Sequence, residues 1–326
     1  MSYKTTDALM RHLRDDSGIK ISGGKQKRQL INTGYFHGYK GYRFFKNAQK
    51  RLPFVSYDEV YATIEYDSDL KALFYAKMMY IETAVKNIAL ESILTKSKSE
   101  SIQNMYDKAV SGYHNAPANA TVEQKKKMQQ NKLNLQKSIQ SNLAYAYKKN
   151  NPKIVHFYNK GSSDVPVWAL FEIMTMGDFG YLLSCLTYDV RDDISKRLGL
   201  NISSDTNREL IYKYIYTLKD LRNAIAHNAV VFDTRFRNID PNNAMKQCLK
   251  FEMGLPYVNF KTIGDYIILM CYYMKLLRVS KTEIKIFIRA FEKIVERYRK
   301  SVNSNVAAIV IHPDVSFRMN ILKNYI

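Results

Sequence analysis

The chain has 326 residues, 46% of them hydrophobic, which is enough to bury a substantial core and excludes a disordered protein. Lysine and arginine outnumber aspartate and glutamate by 50 to 30, and the resulting pI near 9.6 directs the surface field at anions, nucleic acid or an acidic membrane. The start MSYKTTDALMRHLRDD lacks an apolar run after its basic residues, and YIILMCYYMKLL and YLLSCL are far shorter than a membrane span, so a soluble, cytoplasmic protein with no membrane partner is expected.

In chain order, residues 17–57 contain no Asp or Glu but carry Lys20, Lys25, Lys27, Arg28, Lys40, Arg43, Lys46, Lys50 and Arg51. Their centre, INTGYFHGYKGYRFFK, interleaves Tyr35, Phe36, His37, Tyr39, Tyr42, Phe44 and Phe45 with cations and three glycines, which predicts a turn-rich arm, residues 1–57, packed on the core. From Asp58 to Thr95, apolar positions such as Leu70, Phe74, Met78, Ile81 and Val85 recur at helical steps, predicting a long core helix behind a shorter one. Residues 97–120 are rich in Ser and Asn. They precede a polar helix with seven lysines and one Glu, and together residues 97–150 read as an insertion or a mobile hairpin.

DVPVWALFEIMTMGDFGYLLSCLT predicts a helix opened by Asp164 and Pro166 and loosened at Gly177 and Gly180, with Glu172 among apolar neighbours and therefore holding a buried partner. A helix capped by Asp205 follows, with Leu210, Ile211, Tyr214, Ile215, Leu218 and Ile225 as its apolar stripe. Two more helices, about 262–278 and 281–300, precede a tail at 301–326. No segment demands a sheet, so the class is all-α, with a helical domain over 58–300. Cys185, Cys248 and Cys271 are scattered in apolar surroundings and read as buried thiols, not as a zinc site. The near phosphate loop GIKISGGK has Gln26 where Ser or Thr would hold magnesium, and the pairs Asp15/Asp16 and Asp192/Asp193 lack matching ligands, so no metal and no cofactor is expected.

The stretch DLRNAIAHNAVVFD places Arg222 and His227 five positions apart at a predicted helix end. One reading is a helix C-terminus that attracts cationic side chains. The other is a catalytic pair. Five residues of helix turn about 140° and rise about 7.5 Å, so Arg222 and His227 do not share a stripe, whereas Asn223 and His227 do. An Arg, a polar residue, three variable residues and a His is similar to the motif of HEPN ribonucleases. LINTGYFHGYKGYRFF, VPVWALFEIMTMGDFG and LRNAIAHNAVVFDTRF, in that order, resemble three signature blocks of the Abi-like abortive-infection proteins, the AbiD/AbiF group.

That resemblance implies a HEPN-like helical bundle, phage defence or toxin-like growth arrest, and an RNA partner, in some members a structured small RNA. Arg222 and His227 match its catalytic pair and Asn223 the polar position beside it, while Glu172 matches an acidic residue whose role stays open. Position 229 is Ala rather than the Tyr that nucleotidylation would modify, so control by that chemistry is not expected. In the nuclease reading, His227 moves a proton at the 2′-oxygen or the leaving 5′-oxygen, and Arg222 holds the phosphate. Lys25, Lys27, Arg28, Tyr35, His37, Tyr39, Lys40, Tyr42, Arg43 and Lys46 are the expected RNA-binding residues, because cations interleaved with aromatics serve phosphates and unpaired bases together. A homodimer through the 205–230 helix is expected, since one chain carries one motif. A non-cleaving RNA-binding module and a helical protein-interaction scaffold are the competing readings.

Overall fold

Helix accounts for the regular structure: among the described residues there are fifteen α-helices, one π-helical segment and four isolated bridge pairs, with no strand. The structure is a computed structural model that describes residues 5–159, 164–237 and 239–326. The described residues form two compact units, one from within 1–78 and 220–326 and one from within 79–219. No helix among the described residues is long and apolar enough to cross a membrane.

The first unit begins with α1 (Thr6–Asp15) and α2 (Gly23–Thr33), and α2 passes directly into a π-helix at Gly34–Lys40. The basic segment is therefore helical where the sequence suggested turns, and two glycines explain the difference. Gly34 takes φ +74°, a left-handed value that L side chains rarely adopt, and ends α2. A Cβ on Gly38 would lie 2.8 Å from Thr33 Oγ1 and 3.0 Å from Thr33 Cβ, so only glycine lets the wider turn close on Thr33.

Next comes α3 (Tyr57–Ser97), one continuous helix of 41 residues rather than a short helix and a long one. No Gly or Pro interrupts it, and Val60, Thr63, Asp67, Leu70, Phe74 and Met78 are all buried at helical spacing. In the same unit lie the end of α10 (Leu210–Ala226), then α11 (Asn243–Met253), α12 (Ile263–Leu276), α13 (Lys281–Ser301), α14 (Ser304–Val310) and α15 (Val315–Tyr325). Every residue of α12 from Ile263 to Met274 is buried, which makes it the central helix of the unit. Residues 301–326 are thus two packed helices. Arg318 on α15, 2% exposed, donates to Asp265 at 2.5 Å and lies over the Tyr257 ring, so this segment belongs to the core.

The second unit holds the rest of α3, α4 (Ile102–Lys108), α5 (Val122–Lys148), α6 (Pro152–Asn159), α7 (Val167–Ile173), α8 (Met176–Cys185), α9 (Tyr188–Leu198) and the start of α10. The lysine-rich helix of the segment read as an insertion or a mobile hairpin packs on its neighbours: Leu135, Ile139 and Leu143 of α5 are buried, and α5 packs on α6, α7 and α8. The expected 164–187 helix is two helices. Pro166 occupies the N-cap position of α7, and Thr175 starts α8 by accepting from the Asp178 amide at 3.1 Å, so a polar cap rather than a glycine sets the break. Asp205 caps α10 as expected, its carboxylate accepting from the Glu209 and Leu210 amides at 2.9 Å each.

Candidate nucleic-acid interface

The end of α10 carries the motif, and its geometry is set by one residue beyond it. The Ala229 amide donates to the Ala224 carbonyl at 2.8 Å and the Asn228 amide to the Ile225 carbonyl at 3.2 Å, the paired bonds of a Schellman terminus. Asn228 takes φ +52°, the left-handed conformation this terminus needs and one that Asn tolerates better than most side chains. His227 is therefore the C-cap residue, exposed, with its amide still donating to the Asn223 carbonyl at 3.0 Å. Arg222 and Asn223 are half-buried one turn earlier, and Arg222 Nη1 lies 3.4 Å from Asn223 Oδ1.

Asn228 also ties this end to the rest of the first unit. Lys71 Nζ donates to Asn228 Oδ1 at 2.8 Å and pairs with Asp67 at 2.8 Å, and Asn228 Nδ2 lies 3.2 Å from His37 Nε2. An ammonium can only donate, so it holds the amide oxygen toward Lys71 and turns the amide N–H toward His37. His37 Nε2 is then the acceptor and Nδ1 carries the ring proton. Asp67, fully buried, accepts from the Val231 and Phe232 amides and the Tyr42 hydroxyl at 2.7 Å each, besides Lys71. Burial pushes the Tyr42 phenol well above its ordinary range and the neighbouring Asp67 carboxylate adds to this, so Tyr42 remains a donor.

Residues 30–45 and 221–236 interlock through further contacts. Arg235 donates to the Gly41 and Phe44 carbonyls at 2.8 and 2.7 Å and chelates Asp233, while Asp233 accepts from the Lys46 amide at 2.6 Å. Tyr42 stacks on Phe232 with centroids 6.0 Å apart.

This packing encloses some of the residues expected to contact RNA and leaves others at the surface. Tyr39 and Tyr42 are 0% and 1% exposed, with the Tyr39 hydroxyl bonded to Arg51 at 2.9 Å, so neither ring can receive a base. Lys46 is engaged by the fold, its ammonium donating to the Lys261 carbonyl at 2.7 Å, and burial lowers its pKa. Lys27 pairs with Asp7 at 2.7 Å, whereas Lys25 and Arg28 on α2 are exposed. Tyr35 and Arg43 are half-buried, and Lys40 lies over the Tyr35 and Phe36 rings at 5.4 and 4.6 Å. His37 is exposed and joined to the motif end. Glu172 is exposed in the second unit, where it pairs with Lys153 at the surface. It has no buried partner of the kind expected, because its side of the short α7 faces solvent.

Asp67, Lys71 and Asn228 were not singled out in the sequence. An Asn immediately after a helix end is a C′ signal, and an Asp within an apolar stripe signals a buried acceptor, so two of the three left a trace. Among the described residues no group of three or more His, Cys, Asp or Glu side chains is placed to hold a metal.

No curated protein and no solved structure matches the chain. The family model of the Abi-like proteins matches residues 28–233, more than half of the sequence, and its span contains α2 from Arg28, the π-helix, the Asp67 network and the motif end of α10. The chain belongs to the Abi-like protein family.

Proposed function

We propose that this Abi-like protein is a metal-independent HEPN-type endoribonuclease acting in phage defence or as a toxin, restrained by a bound, structured small RNA. The observation that carries this reading is the placement of His227, exposed at the terminus of α10, with Arg222 and Asn223 one turn behind it and His37 and Lys71 gathered on the next residue. Family membership supports the defence role.

The chemistry needs only a proton carrier and a cation. The 2′-hydroxyl of the RNA attacks its own phosphorus, and the bond to the 5′-oxygen breaks. The 2′-proton passes to a base, and a proton passes to the leaving oxygen. His227 exchanges these protons, a role that contributes roughly 10²- to 10⁴-fold in rate. Arg222 holds the phosphate and offsets charge as the five-coordinate phosphorus forms. Asn223, on the same row as His227, orients the imidazole or a phosphate oxygen. The products are a 2′,3′-cyclic phosphate and a 5′-hydroxyl, and DNA, lacking the nucleophile, is inert.

Purified wild type, Arg222→Ala and His227→Ala proteins incubated with total cellular RNA test this, followed by analysis of fragment ends. The wild type should yield cyclic phosphates or their 3′-phosphate descendants without added metal, and both variants should lose cleavage while keeping their helical circular dichroism. Unchanged rate and end chemistry in His227→Ala would overturn the nuclease assignment. RNA binding without cleavage by any of the three proteins would favour the gripping module.

A further inference from the structure

The aromatic residues of the basic segment do not behave alike. Tyr39 and Tyr42 are enclosed, while Phe36, on the same π-helix, is 75% exposed. Its ring stands edge-on to Tyr35 at 5.7 Å and carries the Lys40 ammonium 4.6 Å from its centroid. A large apolar ring held at the surface by a neighbouring ring, beside a cation and within the stretch 17–57 that has no Asp or Glu, presents a stacking face in a positive field.

Its position relative to the motif is also fixed. Phe36 adjoins His37, whose Nε2 accepts from Asn228, and Asn228 follows His227 directly. Lys71 and Asp67, both buried, hold Asn228 in place from the other side. The π-helical segment that carries the ring is thereby linked through His37 to Asn228, the residue next to the motif histidine. π-Helical segments are uncommon and cluster at functional sites, and this one is built by Gly34 and Gly38.

We propose that the Gly34–Lys40 π-helix is the base platform of the cleavage site: Phe36 stacks on an unpaired base of the substrate while Lys40 and the Nδ1–H of His37 contact adjacent phosphates. This rests on the nuclease reading for its purpose, and it names the substrate class as single-stranded RNA. A base in a duplex is already stacked on both faces and cannot offer one to Phe36. Stacking is indifferent to base identity, so the platform selects unpaired strand over duplex without selecting a sequence.

The test is made in the His227→Ala background, so that substrate survives and binding is read independently of catalysis. Anisotropy titrations compare Phe36, Phe36→Ala and Phe36→Trp with an unstructured RNA oligonucleotide, a duplex of the same length, and single-stranded oligonucleotides carrying one abasic nucleotide at successive positions. Phe36→Ala should weaken single-strand binding by roughly 5- to 150-fold, the range for loss of one base–aromatic stack. Phe36→Trp should bind at least as well as Phe36, and duplex affinity should be unchanged by either. One abasic position should weaken binding to the Phe36 protein and have no effect on Phe36→Ala. Equal single-strand affinity for Phe36 and Phe36→Ala, or equal losses for strand and duplex, would overturn the platform. If the platform result holds while the wild type cleaves nothing, the catalytic reading fails and the binding surface stands. If the wild type cleaves and Phe36→Ala binds normally, only the platform fails.

Discussion

Asp67 is wholly enclosed, yet its two carboxylate oxygens serve two backbone amides, one phenol and one ammonium. A buried carboxylate is tolerated only when its lone pairs are satisfied and its charge is balanced, and here the Val231 and Phe232 amides and Lys71 do both. The consequence is positional: those amides begin the chain's exit from the motif, so Asp67 fixes the path that follows Asn228. Asp67→Ala leaves the buried Lys71 ammonium without its counter-charge and two buried amides without their acceptor. It should destabilise the first unit by about 3–5 kcal/mol, the usual cost of breaking a buried pair. Hydrogen exchange of the Val231 and Phe232 amides and a thermal melt check this, and unaltered protection at both amides would show that water replaces the carboxylate. At this scale the sequence was informative where chemistry is local. Asp205 was legible from its place before an apolar stripe, and the helix end that carries Arg222, Asn223 and His227 was legible from its position, whereas the roles proposed for these three rest on the motif and the family. Phe36 was not, because a segment with no regular period gives no rule for which ring faces out. Glu172 misled because its apolar neighbours in sequence are not its neighbours around a helix.

Among the elements, the ones that were legible have a cap and a clean period. The readings at 262–278 and 281–300 nearly coincide with α12 and α13, whose N-termini are set by the Thr262–Asp265 capping box and by Ser280, which accepts from the Glu283 amide at 3.2 Å. Elements were misread where a tertiary contact outweighs local preference. The Asp-Ser-Asp run at 67–69 is unhelpful to a helix by itself, but α3 continues through it because Asp67 acquires its partners from elsewhere in the first unit. The π-helix is the extreme case, since its glycines resemble turn signals and its helical form depends on Gly38 approaching Thr33. Thr33 cannot retreat easily, because its hydroxyl donates to the Gln29 carbonyl at 2.8 Å and lies 3.2 Å from the Tyr57 hydroxyl. Gly38→Ala should therefore destabilise by about 1–3 kcal/mol through overpacking. It should also reproduce the single-strand binding defect of Phe36→Ala, because the platform shifts with the backbone. Wild-type stability and binding in Gly38→Ala would show that the segment adapts and that the π-helical turn is not required.

For the whole molecule, a net charge of +20 gives any polyanion a fast, salt-sensitive approach, but it does not by itself build a cleavage site. A site of the proposed kind needs a cation and a proton carrier at one phosphate, and a single α10 places Arg222 and His227 about 140° apart around the helix axis. Of the six histidines, only His227 has an arginine five positions upstream, so one chain supplies one motif. Two copies of α10 meeting across a two-fold axis would bring an arginine of one chain toward a histidine of the other, and two-fold pairing is the commonest closed symmetry for a homo-oligomer. The active form is therefore expected to be a homodimer whose interface includes the 205–230 helix, with a bound small RNA silencing it by keeping chains apart or by covering the cleft. Co-expression with two affinity tags isolates the heterodimer of an Arg222→Ala chain and a His227→Ala chain. Such a dimer retains one intact Arg222 and one intact His227 at the shared cleft, so it should recover measurable cleavage although each parent homodimer is inactive. Recovery must require both chains, since each parent homodimer purified in the same way should stay inactive, which separates it from a trace of wild type, and it must vanish on dilution below the dimer dissociation constant. A protein that stays monomeric by light scattering at every concentration and cleaves RNA at full rate would refute the composite site and require Arg222 and His227 of one chain to act alone.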